Sequence, residues 1–268
     1  MSETQKLLAG RVALVTGSTQ GLGEGIATRM AKAGARVVIH GRDSSKGERV
    51  RDRLRALGGA VEFIAADLRY EAQARNLVSE TVAKFGTVDL LINNAQIVPR
   101  PSRAEDVDIP EHFMPVLESG LFASLWTCQA VHPHMRSARF GRIVNFASIN
   151  GAFGSRYGIS YNATKEAIRG LTRTLANEWG ADGITVNAVL PSGWSPAYEA
   201  FYRGDQKKAE AVARLNPMRR HGRAEEDIGA AVVGLVGPGS QYVTGQSLYL
   251  DGGAHLLGLP QLHSLEGG

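Results

Sequence analysis

The sequence predicts a single doubly wound α/β domain on a mostly parallel sheet of about seven strands. Three observations predict it. Short apolar runs alternate with longer stretches of helical period between residues 12 and 250. A glycine-rich turn follows the first run and opens the first helix. No internal repeat, low-complexity segment or linker divides the 268 residues, so residues 1–268 read as one domain.

The elements follow in order. Val12 to Val15 is the first strand, and Gly17, Gly21 and Gly23 lead into a helix with Ile26, Met30 and Ala33 on one face. Strand, glycine turn and helix is the context of a dinucleotide site: glycines admit the pyrophosphate and the helix N-terminus offers N–H groups. No Gly-Lys-Ser/Thr follows, which excludes a P-loop. Arg36 to His40 reads as a strand, with a helix from Lys46 to Leu57 that Asp43 helps to cap. Val61 to Ala65 is a strand ending at Asp67-Leu68, and a helix runs on to Phe85. The next strand is Asp89 to Ile92. Arg100 to Pro115 reads as a loop into a long helix, Val116 to Met135. Arg142 to Phe146 is a strand, Tyr161 to Trp179 a helix and Thr185 to Leu190 a strand. Glu225 to Val236 is a helix, and Ser247 to Leu250 is the last strand.

The densest chemistry lies between Gly141 and Ile168. Tyr161 and Lys165, four apart, share a helix face, and Ser148 lies thirteen residues before Tyr161 on a Gly-containing loop. A free phenol titrates near ~10 and is a poor base at neutral pH. An ammonium close by favours the phenolate. The trio suits proton exchange with an alcohol oxygen, with Tyr161 as acid/base and Ser148 holding the substrate oxygen.

Ser148, followed by Tyr161-Asn162-Ala163-Thr164-Lys165, resembles the active-site segment of the short-chain dehydrogenase/reductase family. Thr16 to Gly23 resembles its cofactor loop, Asn93-Asn94-Ala95 its central strand-end motif, and Asn187 to Pro191 the strand ending beside the nicotinamide. The resemblance runs from about Leu8 to Ala254, in order and with similar spacing. It implies a Rossmann-like fold and a catalytic set of Ser148, Tyr161 and Lys165. It also implies a dinucleotide held by Gly17, Ser18, Gln20, Gly21, Leu22, Gly23, Asp67, Leu68, Asn94, Ala95, Tyr161, Lys165, Pro191 and Trp194. The place of the ribose-binding acid is taken by Gly41 and then Arg42. A guanidinium there suits a 2′-phosphate, so NADP(H) is expected over NAD(H), with Asp43 as the competing ribose ligand.

The sequence departs from the family pattern at four places. Gln96 replaces a Gly and would point toward the nicotinamide ribose or the substrate. Gly120 stands where an Asn is usual (Ser119, if the alignment shifts by one), and its flexibility would preserve a local helix distortion. On that reading Gly120 tolerates Asn. Ser192 replaces a Gly and Pro196 a Thr.

The expected activity is hydride transfer between NADP(H) and a carbonyl or secondary alcohol carbon of a small molecule. The alternatives are an NAD-dependent alcohol or sugar dehydrogenase, or a cofactor-binding regulatory protein with little turnover. Residues 194–223 read as a substrate lid. Phe153, Trp194, Tyr198, Phe201 and Tyr202 suit an apolar or cyclic ligand, whereas Arg100, Arg103 and Arg156 suit an acid. The family implies a homo-oligomer, tetramer or dimer.

Composition narrows the rest. Apolar residues make up 43% of the chain and mean hydropathy is −0.14, ordinary for a globular protein. With no apolar run of eighteen and no apolar leader, no membrane partner is expected and the cytoplasm is the expected location. The net charge is +4, and its basic residues are scattered rather than interleaved with aromatics, which argues against nucleic acid. Arg49, Arg51, Arg53 and Arg55 fall on the solvated side of a helix. The seven histidines lack metal-ligand spacing, so no metal is expected, and the lone Cys128 reads as a core thiol.

Overall fold

The computed structural model describes residues 6–194 and 205–257. Seven strands form one parallel sheet: β1 (Val12–Val15), β2 (Arg36–Gly41), β3 (Val61–Ala65), β4 (Leu90–Asn93), β5 (Gly141–Phe146), β6 (Ile184–Pro191) and β7 (Ser247–Leu250). Their spatial order is β3-β2-β1-β4-β5-β6-β7, every pair parallel. The chain winds outward from β1 in one direction and from β4 in the other. The crevice between the carboxyl ends of β1 and β4 is the switch point at which such sheets bind ligands. Both the Gly17 loop and Asn94-Ala95 open there.

Central strands buried on both faces read as continuous apolar runs, and β1 and β4 are buried at every position. One core layer joins Val15, Ile39 and Ile92 to Ile26 and Met30 of α1 (Gly21–Lys32) and to Val232 and Val236 near the C-terminus. The other joins Leu14, Leu91, Ile143 and Val186 to three helices: α3 (Glu71–Phe85), α5 (Ala123–Ala138) and α7 (Ile159–Trp179). Asp43 caps α2 (Ser44–Ala56), accepting from Lys46 N–H at 3.1 Å. Its carboxylate thus serves the helix. Gly86 ends α3 in the left-handed region at φ 85°.

Two helical stretches differ from expectation. Helical structure before α5 begins at Ile109, not Val116. It runs through a wide π turn (Ile109–Phe113), a short α4 (Met114–Leu117) and a second π turn (Glu118–Phe122). Pro110 and Pro115 read as loop signals in the sequence, but each sits at the start of its segment, where no N–H is required. The second wide turn carries Gly120, where the sequence anticipated a distortion. After β5 the loop is tightened by α6 (Ile149–Phe153), capped by Ser148. Further on, α8 (Gln206–Leu215) precedes the closing helix α9 (Ala230–Val236). Tyr198, Phe201, Tyr202 and Pro196 lie outside the described residues.

Candidate active site

The trio assembles at the carboxyl edge of β5. Lys165 Nζ lies 5.5 Å from the centre of the Tyr161 ring, one helical turn away on α7. The Ser148 side chain hydrogen-bonds the Tyr161 hydroxyl and also accepts from Asn150 N–H at 3.2 Å. Ser148 is therefore held in place by the α6 cap it forms. Lys165 is buried and donates to Phe146 O at 2.6 Å.

Burial sets the protonation of both groups. It holds the Tyr161 phenol above its usual range, against the opposing hydrogen bond from Ser148. It brings the Lys165 amine down to about 7. Both shifts favour the uncharged forms. The sequence argument expected the ammonium to depress the phenol. In this structure desolvation of the buried phenol dominates instead, and Lys165 Nζ donates to the Phe146 carbonyl.

The glycine loop is the second half of the site. Gly17 and Gly21 have φ of +62° and +59°, which glycine alone adopts without strain. A Cβ on Gly23 would collide with Gly17 O, so the helix start and the loop lie in contact. Gln20 gives α1 no side-chain cap, which leaves the first-turn N–H groups facing outward for an anion. This cradle fits a dinucleotide pyrophosphate.

Several expected ligands act here by shaping the loop. Asn94 Nδ2 donates to Thr16 O at 3.0 Å and Gly17 O at 2.9 Å, while Thr16 Oγ1 accepts from Asn94 N–H and Ala95 N–H, both at 3.0 Å. Ser18 is fully buried; its hydroxyl donates to Val15 O at 2.6 Å and accepts from His40 N–H at 2.9 Å. Asp67 is paired with Arg69, whose guanidinium holds its carboxyl below the usual range. The Trp194 N–H donates to Gly222 O at 2.9 Å, joining the segment after β6 and Pro191 to Gly222. Arg42 is exposed beyond β2 and makes no hydrogen bond or ion pair with a described residue. Beside it, Lys46 Nζ reaches Gln20 Oε1 at 3.4 Å. Gln96 turns away from the crevice, toward Val116 and Ser119. A Cβ at Gly120 would collide with Gln96 Oε1, so Asn has no room there while Gln96 keeps this position.

The sequence reading missed His40. Its Nδ1 accepts from Gly17 N–H at 3.1 Å and its Nε2 donates to Ala66 O at 3.0 Å, fixing the neutral tautomer beneath the loop. Nothing in the sequence marks it beyond its place at the end of β2. Burial brings its pKa down to about 4. An unfolded histidine titrates near ~6.5, so the unfolded chain binds the extra proton first. Stability from His40 is complete above that value and is lost as pH falls toward 4. The full difference is on the order of 3 kcal/mol. Denaturant titrations at pH 7, 6 and 5 should show this slope, and His40→Gln should flatten it.

A polar ladder also crosses the sheet below the trio. Thr127 Oγ1 donates to Asn93 Oδ1, Asn93 Nδ2 to Asn145 Oδ1, and Asn145 Nδ2 to Thr172 Oγ1, at 2.8, 3.0 and 3.0 Å. It ties α5 and α7 to β4 and β5. Among the described residues no three His, Cys, Asp or Glu side chains are grouped to hold a metal ion, and no helix is long and apolar enough to cross a membrane.

The chain is similar to known dehydrogenases and reductases. A family model described as enoyl-(acyl carrier protein) reductase matches residues 17–255. A 12α-hydroxysteroid dehydrogenase of Clostridium sp. (strain ATCC 29733 / VPI C48-50) is 36% identical over 256 residues, 91% of this chain and 96% of the relative. A glucose 1-dehydrogenase of Gluconobacter oxydans (strain 621H) is 34% identical over 253 residues, 93% and 94% of the two chains. Among solved structures, the Pseudomonas aeruginosa RhlG/NADP active-site complex matches with a TM-score of 0.85 at 32% identity, covering 94% of this chain and 98% of that one.

Proposed function

The chain belongs to the short-chain dehydrogenase/reductase family, and from that premise we propose that it is an NADP(H)-dependent oxidoreductase acting on a carbonyl or secondary alcohol of an apolar-bodied small molecule. The observation that carries the reading is the placing of Ser148, Tyr161 and Lys165 at the carboxyl edge of the sheet that also holds the glycine cradle. The bound nicotinamide supplies the hydride exchange. Ser148 orients the substrate oxygen. Tyr161 Oη gives that oxygen a proton in reduction and takes one in oxidation. Lys165 in its protonated form stabilises the phenolate left behind. Burial holds the phenol above its usual range, so Tyr161 carries the proton that carbonyl reduction consumes.

NADP over NAD is supported by the Arg42 guanidinium and by Lys46, both above the loop, and by the engagement of Asp43 and Asp67 elsewhere. Charge-assisted hydrogen bonds are worth about 1.5–3 kcal/mol. Arg42→Asp should therefore shift the ratio of kcat/KM for NADP over NAD by about 10- to 100-fold toward NAD. A wild type that already prefers NAD would refute the assignment.

The substrate class is supported by exposed apolar side chains in the segments that follow the strand ends. Val98, Phe153 and Trp194, from the loops after β4, β5 and β6, are 58%, 46% and 38% exposed. Gln96 and Ser155 of the same loops are turned inward, to Val116 O and Asn162, while Arg100, Arg103 and Arg156 are exposed. The relatives include both a steroid and a sugar dehydrogenase, and exposed apolar side chains favour the first kind of ligand. NADPH oxidation with cyclic and aliphatic ketones, beside NADP+ reduction with aldoses, tests the proposal. Turnover confined to aldoses overturns the substrate class, and nucleotide binding with no turnover overturns the enzyme.

A further inference from the structure

His40 joins two segments that lie on either side of β2. Its ring is buried at the strand's end, after the buried apolar run Val37, Val38 and Ile39. An imidazole at such a place carries a desolvation cost that a fourth apolar residue would not. In return it serves two backbone groups that no apolar side chain could serve. Nδ1 accepts from Gly17 N–H at 3.1 Å, and Nε2 donates to Ala66 O at 3.0 Å. Gly17 opens the loop after β1, and Ala66 follows β3 directly. Among the described residues, His40 is the one side chain hydrogen-bonded to both.

The backbone draws the same three segments together. Ser18 N–H donates to His40 O at 2.8 Å, and His40 N–H donates to Ser18 Oγ at 2.9 Å. Ala66 N–H donates to Gly41 O at 3.3 Å. A Cβ on Gly41 would meet Thr19 Cγ2 at 2.6 Å and Oγ1 at 2.8 Å, so the loop rests directly on the strand end. The first two N–H groups of the loop, Gly17 and Ser18, are therefore spent on β2. A phosphate is met further on, by the uncapped first turn of α1. The trio stands at β5, three strands from β2, and a nicotinamide there sends the adenosine half of the dinucleotide toward β2 and β3. The start of α1 and the end of β3 are then the two walls of that half. We propose that His40 is a positioning residue for the nucleotide, its imidazole a strut that fixes the spacing between the glycine loop and the end of β3. This rests on the dinucleotide reading of the site given above. At 3% exposure the ring acts through Gly17 and Ala66, not by touching the ligand.

Three variants divide the strut. His40→Asn places an oxygen where Nδ1 stands and keeps the bond to Gly17. His40→Gln places a nitrogen where Nε2 stands and keeps the bond to Ala66. His40→Leu keeps neither. The probes are NADPH and adenosine 2′,5′-bisphosphate, whose adenine and 5′-phosphate span the two walls. Each lost bond leaves a buried backbone group unpaired, so affinity for both probes should fall about tenfold in each amide variant and about a hundredfold in His40→Leu. The KM for NADPH should rise in step, while kcat at saturating NADPH and the KM for the ketone stay within about twofold of wild type. A histidine that only stabilises the fold would lower the melting temperature and leave both affinities unmoved. Affinities within about threefold of wild type in folded His40→Asn and His40→Gln, roughly 0.7 kcal/mol, therefore overturn the proposal. So does a kcat that falls as far as the affinity. The amide pair carries the test if His40→Leu does not fold. A wild type that binds the bisphosphate, loses it in the variants and turns over nothing would keep the strut and discard the oxidoreductase reading. Turnover with unmoved affinities does the reverse.

Discussion

Tyr161→Phe should abolish turnover while leaving NADP(H) affinity within about twofold of wild type. The substitution removes one oxygen and keeps the ring that packs beside Lys165. The cradle at Gly17 to Gly23 touches neither that oxygen nor Ser148, so nucleotide binding has no reason to change. What is lost is the acidic hydroxyl that the structure sets against Ser148. General acid/base catalysis typically contributes ~10²–10⁴-fold, or roughly 3–5 kcal/mol of barrier. Steady-state kcat with nucleotide binding by fluorescence separates the two effects. Activity near wild type would show that the proton comes from another group. Weakened binding with kcat intact would place the phenol in the nucleotide site instead.

The fold was legible because its signals are local and redundant. β1 and β4 are continuous apolar runs, buried at every position. Asp43 announced the start of α2 by its residue type, and it caps that helix. The trio was legible for a similar reason, since spacing on one helix fixes Tyr161 against Lys165. The rest depends on partners far apart in the chain. Ser18 looked like a cofactor ligand, yet its hydroxyl joins β1 to β2 through Val15 and His40. The wide turn at Glu118–Phe122 needs a neighbour from the β4 loop, and only the folded chain brings Gln96 to Gly120. Electrostatics was the least legible part. The direction of the Tyr161 shift is decided by burial, which one turn of helix spacing does not reveal.

Gly23→Val should cost more than 100-fold in NADP(H) affinity, about 2.7 kcal/mol or more. A Cβ there would overlap Gly17 O and lie 2.5 Å from Asn94 Nδ2. Both atoms belong to the bond by which Asn94 holds the loop, so neither gives way without opening the cradle. The backbone at Gly23 is not in the left-handed region, so the penalty is space and not conformation. Gly234→Ala in α9 is the matched control. Nothing lies within 4 Å of its added Cβ, and the helix should gain roughly 0.5–1 kcal/mol. Nucleotide titration with thermal melting of both variants reads the contrast. The expected pair is lost binding in a folded Gly23→Val and intact binding in a slightly more stable Gly234→Ala. If Gly23→Val binds NADPH within about tenfold of wild type, roughly 1.4 kcal/mol, the pyrophosphate does not rest on this loop, and the α1 N-terminus is free to serve another anion.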